Sequence, residues 1–174
     1  MKKLLFIPGS LRTASASRAT VRTLVSKVEG EAACTIADPG NLPHYNADLT
    51  DNLHVKEFCD QIAEADGLVF VTPEYNYSIP GVLKNAIDWA SRPALESVFK
   101  GKPCFIVSIS GGALGGVRAQ AHLKYILNGM LANVYVCPEI VIPLANQKVS
   151  DGHLVDEAVL GFVLPKLRDF ILHV

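Results

Sequence analysis

Five apolar runs, Lys3 to Pro8, Ala32 to Ala37, Gly67 to Thr72, Lys102 to Ser108 and Asn133 to Val136, alternate with stretches of helical periodicity. That alternation leaves few folds open. Runs that stay apolar on consecutive positions suit strands covered on both faces, and strand–helix–strand repetition gives a parallel sheet of the α/β class. The intervening segments Ser17 to Val28, Asp51 to Ala65, Pro80 to Ser91, Gly115 to Leu131 and His153 to Leu172 read as the helices. Pro165 predicts a kink or a late restart in the last of them. Right-handed crossovers place every strand-to-helix loop on one edge of such a sheet, and ligands bind where the winding reverses. Strand order 2-1-3-4-5, the flavodoxin-like arrangement, puts that reversal between strands one and three. The expectation is a three-layer sandwich with a five-stranded parallel sheet, residues 1–174 forming one domain.

Three loops on that edge carry distinctive chemistry. Gly9-Ser10-Leu11-Arg12-Thr13-Ala14-Ser15-Ala16-Ser17 combines hydroxyls, an arginine and the free amides of a helix start. Such a set suits a phosphate dianion, with Arg12 adding bidentate hydrogen bonds. Ordinary N-capping by Ser15 or Ser17, with Arg12 solvated, reads equally well from this loop alone. The loop lacks the glycine spacing of a dinucleotide fingerprint and the Gly-Lys-Ser/Thr of an NTP loop. After strand three, Pro73-Glu74-Tyr75-Asn76-Tyr77-Ser78-Ile79-Pro80-Gly81 is rigid, aromatic and amide-rich. Its backbone N–H groups at Glu74, Tyr75 and Asn76 are expected to face the polar edge of a planar ring, with Tyr75 or Tyr77 covering the face. After strand four, Ser108-Ile109-Ser110-Gly111-Gly112-Ala113-Leu114-Gly115-Gly116 lets backbone approach a ligand without Cβ obstruction, although taken alone it reads more readily as a flexible loop before a helix that starts at Gly115 and Gly116.

Charge and cysteine usage narrow the partners. Sixteen basic against seventeen acidic residues, with no long run of either sign, leave no electrostatic footprint for nucleic acid or an anionic membrane. No apolar run approaches the ~20 residues that cross a bilayer. The start, Met1 to Ile7 followed by Ala14-Ser15-Ala16, imitates a signal peptide, but Pro8, Gly9 and Arg12 interrupt it and it reads as the first core strand. Cys34, Cys59, Cys104 and Cys137 are far apart, without metal-ligand spacing, and the five histidines are scattered. The expectation is no metal, small core cysteines and a reducing cytoplasm. Hydrophobic content of 49% points to a subunit interface besides the sheet.

Gly9-Ser10-Leu11-Arg12 with Ser15-x-Ser17, Pro73-Glu74-Tyr75-Asn76-x-Ser78-x-Pro80-Gly81-x-Leu83-Lys84-Asn85-Ala86-Ile87-Asp88-Trp89, and the segment Ser108 to Gly116 resemble the NADPH-dependent FMN reductase family. The chain is most similar to its bacterial NAD(P)H quinone and chromate reductases. The resemblance extends over nearly the whole chain and includes Leu42-Pro43-x-Tyr45-Asn46-x-Asp48 and Asn146-Gln147-Lys148-Val149. It implies noncovalent FMN, NADPH or NADH as co-substrate, and ping-pong transfer of electrons to a small-molecule acceptor: a quinone, flavin, azo compound or chromate. It implies that Ser10, Arg12, Ser15 and Ser17 hold the phosphate, that Pro73, Glu74, Tyr75, Asn76 and Ser78 frame the ring, and that Ser110, Gly111 and Gly112 approach it from the fourth-strand loop. Ser17 stands where the family commonly has asparagine, a shorter reach. No side chain is assigned as acid, base or nucleophile. A dimer or tetramer is implied; Tyr45 with the Leu42 to Asp48 segment then completes a neighbour's pocket and Arg118 with Glu139 crosses an interface, or, reading equally well, these contacts all lie within one chain. The alternatives are an electron carrier of flavodoxin type without NAD(P)H oxidation, and a scaffold with an empty pocket.

Overall fold

The computed structural model describes residues 1–174. In chain order the elements are β1 (Lys2–Pro8), α1 (Ala16–Lys27), β2 (Ala32–Ile36), α2 (Leu53–Glu64), β3 (Gly67–Thr72), α3 (Gly81–Ala90), β4 (Pro103–Ile109), α4 (Val117–Gly129), β5 (Asn133–Val134), β6 (Ile140–Ile142), β7 (Val149–Ser150), β8 (His153–Leu154) and α5 (Glu157–His173). The main sheet is parallel in the order β2-β1-β3-β4-β5, as the alternation of runs requires. Its fifth position is shared. β5 pairs with Pro103 and Cys104, β6 with Val107 to Ile109, and Pro138 lies between them. A proline has no N–H for the ladder, so a break at this edge follows from the sequence.

Successive residues of one strand enter opposite cores. Leu5, Ile7, Leu68, Phe70 and Ile106 pack on one face with Phe58 and Ile62 of α2, Leu83 and Ile87 of α3, and Leu123 and Leu127 of α4. Leu4, Phe6, Val69, Val71, Phe105 and Val107 pack on the other with Val21 and Leu24 of α1 and Leu160, Val163, Leu167 and Phe170 of α5. All six residues of β3 are buried, which explains why it reads as an unbroken apolar run. β1, expected as a core strand, is central, with Leu4 to Ile7 inaccessible to solvent.

Two helix expectations are refined. α5 starts at Glu157 because Asp156 caps it, accepting from the Val159 N–H at 2.9 Å, and residues 153–154 form a strand instead. That backbone bond, with the Lys148 ammonium, holds the Asp156 carboxyl below the usual carboxylate range. The helix also runs through Pro165 rather than restarting after it: the carbonyl that loses its donor belongs to Gly161, which is exposed. No helix is long and apolar enough to cross a membrane.

Phe170 is fully buried between Phe105 and Tyr135, ring centroids 5.4 Å from each. Phe170→Ala is expected to lower stability by about 3–5 kcal/mol, the usual cost of deleting a core aromatic. Urea unfolding should show a lower midpoint with an unchanged slope.

Candidate functional site

Where β1 ends, the chain needs a residue without a side chain. A Cβ at Gly9 would lie 2.8 Å from Thr72 Oγ1 and 3.1 Å from Thr72 Cα, so only glycine lets the two central strands part at this distance. The loop then turns into α1 with Ser15 as N-cap, its hydroxyl accepting from the Arg18 N–H at 3.4 Å and sharing a 2.8 Å bond with the Ser17 hydroxyl. Ser10, Ser15 and Ser17 are all buried. The backbone N–H groups of Ala14, Ala16 and Ser17 have no partner within the chain, and Arg12 is exposed without an anionic partner. Unpaired donors at a helix start, buried hydroxyls and a free guanidinium form an anion cradle.

The loop after β3 is a miniature hairpin. Tyr75 N–H donates to the Ser78 carbonyl at 2.9 Å and Ser78 N–H to the Tyr75 carbonyl at 3.1 Å, around Asn76 and Tyr77 with φ of 47° and 68°. Two successive positive φ values are those of a type I′ turn, unfavourable for a tyrosine. Side chains of four of its residues, Glu74, Tyr75, Tyr77 and Ser78, hold it. Glu74 Oε2 accepts from the N–H groups of Arg118 (3.0 Å) and Ala119 (3.2 Å), and Glu74 Oε1 pairs with the Arg118 guanidinium at 3.1 Å. The guanidinium lies over the Tyr77 ring, 4.4 Å from its centroid. Ser78 Oγ shares a 3.0 Å bond with His122 Nδ1, one turn along α4. Tyr75 OH meets Ser10 Oγ at 3.1 Å and so joins this loop to the anion cradle.

Glu74 therefore caps a helix to which it is not contiguous. The N-cap position of α4 is Gly116, which has no side chain to offer, and the mostly buried Glu74 carboxylate replaces it. This corrects one expectation: of the three backbone donors proposed for a ring edge, Tyr75 N–H is spent on the turn, while those of Glu74 and Asn76 have no partner in the chain. Of the two readings open for Arg118 and Glu139, the intramolecular one describes the contacts seen: Arg118 pairs with Glu74 at 3.1 Å and Glu139 with Lys124 at 2.7 Å.

The loop after β4 is fixed from the far side. Ser110 N–H donates to the Ile142 carbonyl (3.1 Å), Ala145 N–H to the Ser110 carbonyl (3.0 Å) and Gly112 N–H to Ser110 Oγ (3.1 Å). Buried Gln120 Nε2 bonds Ser108 Oγ and the Ile140 carbonyl, tying α4, β4 and β6 together.

One cavity of about 410 Å³ is lined by residues from all three loops, within the range of small-ligand sites. It brings together Ser10, Arg12, Ser15, Ser17, Pro73, Glu74, Tyr75, Ser110 and Gly111. Asn76, Ser78 and Gly112 lie outside it, Ser78 being engaged with His122. It also includes Asn146, Val149, Asp151 and Gly152, none of them among the expected ligand-holding residues. The first two stand in the Asn146 to Val149 motif, and Asp151-Gly152 is a turn signal between β-prone residues, so both were readable. No group of three His, Cys, Asp or Glu side chains is arranged to hold a metal. Burial pushes the Cys104 thiol up to about 12, which leaves it inert as a nucleophile.

The sequence pattern of NADPH-dependent FMN reductases matches residues 2–147. An NAD(P)H-dependent FMN reductase of Pseudomonas aeruginosa is 41% identical over 170 residues, 95% of this chain and 91% of that protein. A quinone reductase of Escherichia coli is 40% identical over 172 residues, 93% and 89% of the two chains. Among solved structures, the flavoenzyme NAD(P)H:(acceptor) oxidoreductase FerB of Paracoccus denitrificans superposes with a TM-score of 0.89 at 35% identity, over 98% of this chain and 96% of that one.

The capping role of Glu74 is tested by stability. Glu74→Ala is expected to cost about 1–3 kcal/mol by leaving two helix N–H groups and Arg118 unpaired. Glu74→Gln, whose amide oxygen still accepts, should lose less than half of that in urea unfolding.

Proposed function

The chain belongs to the NADPH-dependent FMN reductase family, and from that premise we propose that this cavity holds FMN, its phosphate on the first turn of α1 and its ring between the loops after β3 and β4. The protein is an FMN-dependent NAD(P)H oxidoreductase that uses small-molecule acceptors. The redox chemistry, hydride acceptance from NADH or NADPH and electron delivery to a quinone or a related oxidant such as a flavin, azo compound or chromate, is what FMN supplies when bound.

The residues divide the remaining work. Arg12 and the N–H groups of Ala14, Ala16 and Ser17 bind the phosphate, with the linked hydroxyls of Ser15 and Ser17 beside them. Tyr75, anchored on Ser10, and Pro73 form one wall of the ring slot; Ser110 and Gly111, backed by Asn146, form the other. The unpartnered Glu74 N–H is available to the polar edge of the ring. The Glu74 carboxylate is committed to α4, so no acid or base is proposed at the ring. The observation that carries this reading is the meeting, in one cavity, of unpaired helix-start donors and buried hydroxyls with the two ring loops.

The whole chain is proposed to act as one domain, in a self-associated state. Tyr45 packs edge-on against Trp89 (5.0 Å) and accepts from Arg92 Nε (2.9 Å), a half-buried aromatic beside an exposed cation that we place at the rim of a neighbour's cavity. The four unpaired thiols support the cytoplasm as its compartment. Light scattering at several concentrations should give a dimer or tetramer.

The purified full-length protein should be yellow, bleach anaerobically on adding NADPH or NADH, and recover colour on adding a quinone alone. Steady-state kinetics should give parallel reciprocal plots; a pattern that requires both substrates bound together refutes the shared slot. Arg12→Ala should weaken FMN binding about 10–100-fold, the loss of a charge-assisted contact, while kcat at saturating FMN stays near the parent value. Fluorescence titration of FMN release measures it. Glu74→Gln should keep most of the turnover.

A further inference from the structure

The loop after β3 carries a tyrosine where its backbone favours glycine. Six residues other than glycine have positive φ, and Tyr77 at 68° is the one aromatic-ring hydrophobe among them that also stands exposed. It is the second central residue of the type I′ turn, and asparagine followed by glycine is the favoured pair for such a turn. Asn76 meets the first half of that rule and Tyr77 breaks the second. A bulky side chain in this region of φ is an outlier. Neither burial nor hydrogen bonding accounts for it. The side chain is 67% exposed, and its hydroxyl takes no part in the hydrogen bonds that fix the loop. Backbone strain of this kind clusters at functional sites.

The ring is nevertheless held in place. It lies against the Arg118 guanidinium, 4.4 Å from the ring centroid. That guanidinium is itself fixed, pairing with Glu74 Oε1 at 3.1 Å, while Glu74 Oε2 accepts from the Arg118 and Ala119 N–H groups. The rest of the ring faces solvent. Tyr77 stands outside the cavity, although Glu74 and Tyr75 of the same loop line it. A ligand that fills the cavity therefore meets Tyr75, and Tyr77 is left to a second molecule.

We propose that Tyr77, buttressed by Arg118, is the wall against which the nicotinamide of NAD(P)H and the quinone stack in turn. The proposal rests on the FMN site described above. Tyr77 touches the substrates and not the cofactor. Arg118 acts through the Tyr77 ring and is a positioning residue. A planar ring laid against an aromatic side chain gains about two- to tenfold in affinity. One wall that serves both substrates admits them one at a time, and each half-reaction of such a cycle has its own kcat/KM, so the residue leaves its mark on both.

The test combines steady-state kinetics and binding on the FMN-loaded full-length protein, at a concentration where light scattering gives the parent's assembly. Tyr77→Gly restores the residue that the turn favours, so it should fold and hold FMN with unchanged affinity. It should lower kcat/KM for NADPH and for a quinone by about three- to tenfold each, and raise the calorimetric Kd for NADP+ by a similar factor. Tyr77→Phe, which keeps the ring, should recover most of the loss. Arg118→Met should lower both kcat/KM values to a smaller extent and add nothing when combined with Tyr77→Gly, because its effect passes through the ring. The kcat/KM for ferricyanide, an octahedral ion with no face to stack, should not fall. Unmoved values for NADPH and quinone in Tyr77→Gly overturn the proposal. An equal fall for ferricyanide, or weakened FMN affinity, overturns it too, since either is the mark of a merely structural role. A parent protein that retains no FMN removes the site itself, and the wall with it.

Discussion

The parting of β1 and β3 is the constraint on which the functional edge depends. The two strands pair in register as far as Pro8 and Val71, and Gly9 N–H still reaches the Val71 carbonyl at 2.9 Å. One chain then rises to α1 on one face of the sheet and the other to α3 on the opposite face. The opening between them is forced by right-handed crossovers on either side of a winding reversal. A helix start with spare donors lies on one side of this opening and an aromatic loop on the other, so a ligand with a charged tail and a flat head fits the edge in one orientation.

Holding that loop open has an energetic cost that the structure meets locally. Asn76 and Tyr77 both sit in the left-handed region, a strain of order 1–3 kcal/mol for each such residue. Against it stand the Glu74 cap on α4, the Arg118 guanidinium on the Tyr77 ring and the Ser78–His122 bond, all reaching the same helix. α4 is in turn locked to β4 and β6 by the buried Gln120 amide. The loops after β3 and β4 are thus positioned by one element, which in the proposed arrangement preorganises the backbone donors instead of ordering them at the moment of binding.

Much of this was legible in the sequence because it depends on pattern. The consecutive apolar residues of Leu68 to Val71 declared a strand buried on both faces, and alternating helices declared the crossover rule and so the converging loops. Less legible was what individual side chains of the loops do. Glu74 precedes a tyrosine and an asparagine in the motif expected to frame the ring, yet its carboxylate serves α4, 44 residues away, because Gly116 leaves that helix uncapped. The split of the fifth strand falls at residues 135–139, which include Pro138 and lie opposite only Phe105 and Ile106 of β4. The Asp151-Gly152 turn was readable, but the expected last helix takes in His153 and Leu154, and the partners that fix the hairpin, Arg22 and Thr23, lie some 130 residues earlier.

The same geometry separates an enzyme from a carrier. A carrier delivers electrons to proteins, and such encounters are steered by a strong surface field. This chain has a formal net charge of −1 and no acidic run, so it lacks that means of recruiting a redox protein. Its rim offers aromatic surface instead: Tyr75 is 42% exposed and Tyr77 67%. In the proposed arrangement both border the ring slot, and neither carries a charge that favours donor over acceptor. Planar molecules are then recognised by stacking alone, which a nicotinamide and a quinone can satisfy in turn. In that arrangement alternation between donor and acceptor follows from one property, a slot that recognises planar molecules at its aromatic mouth.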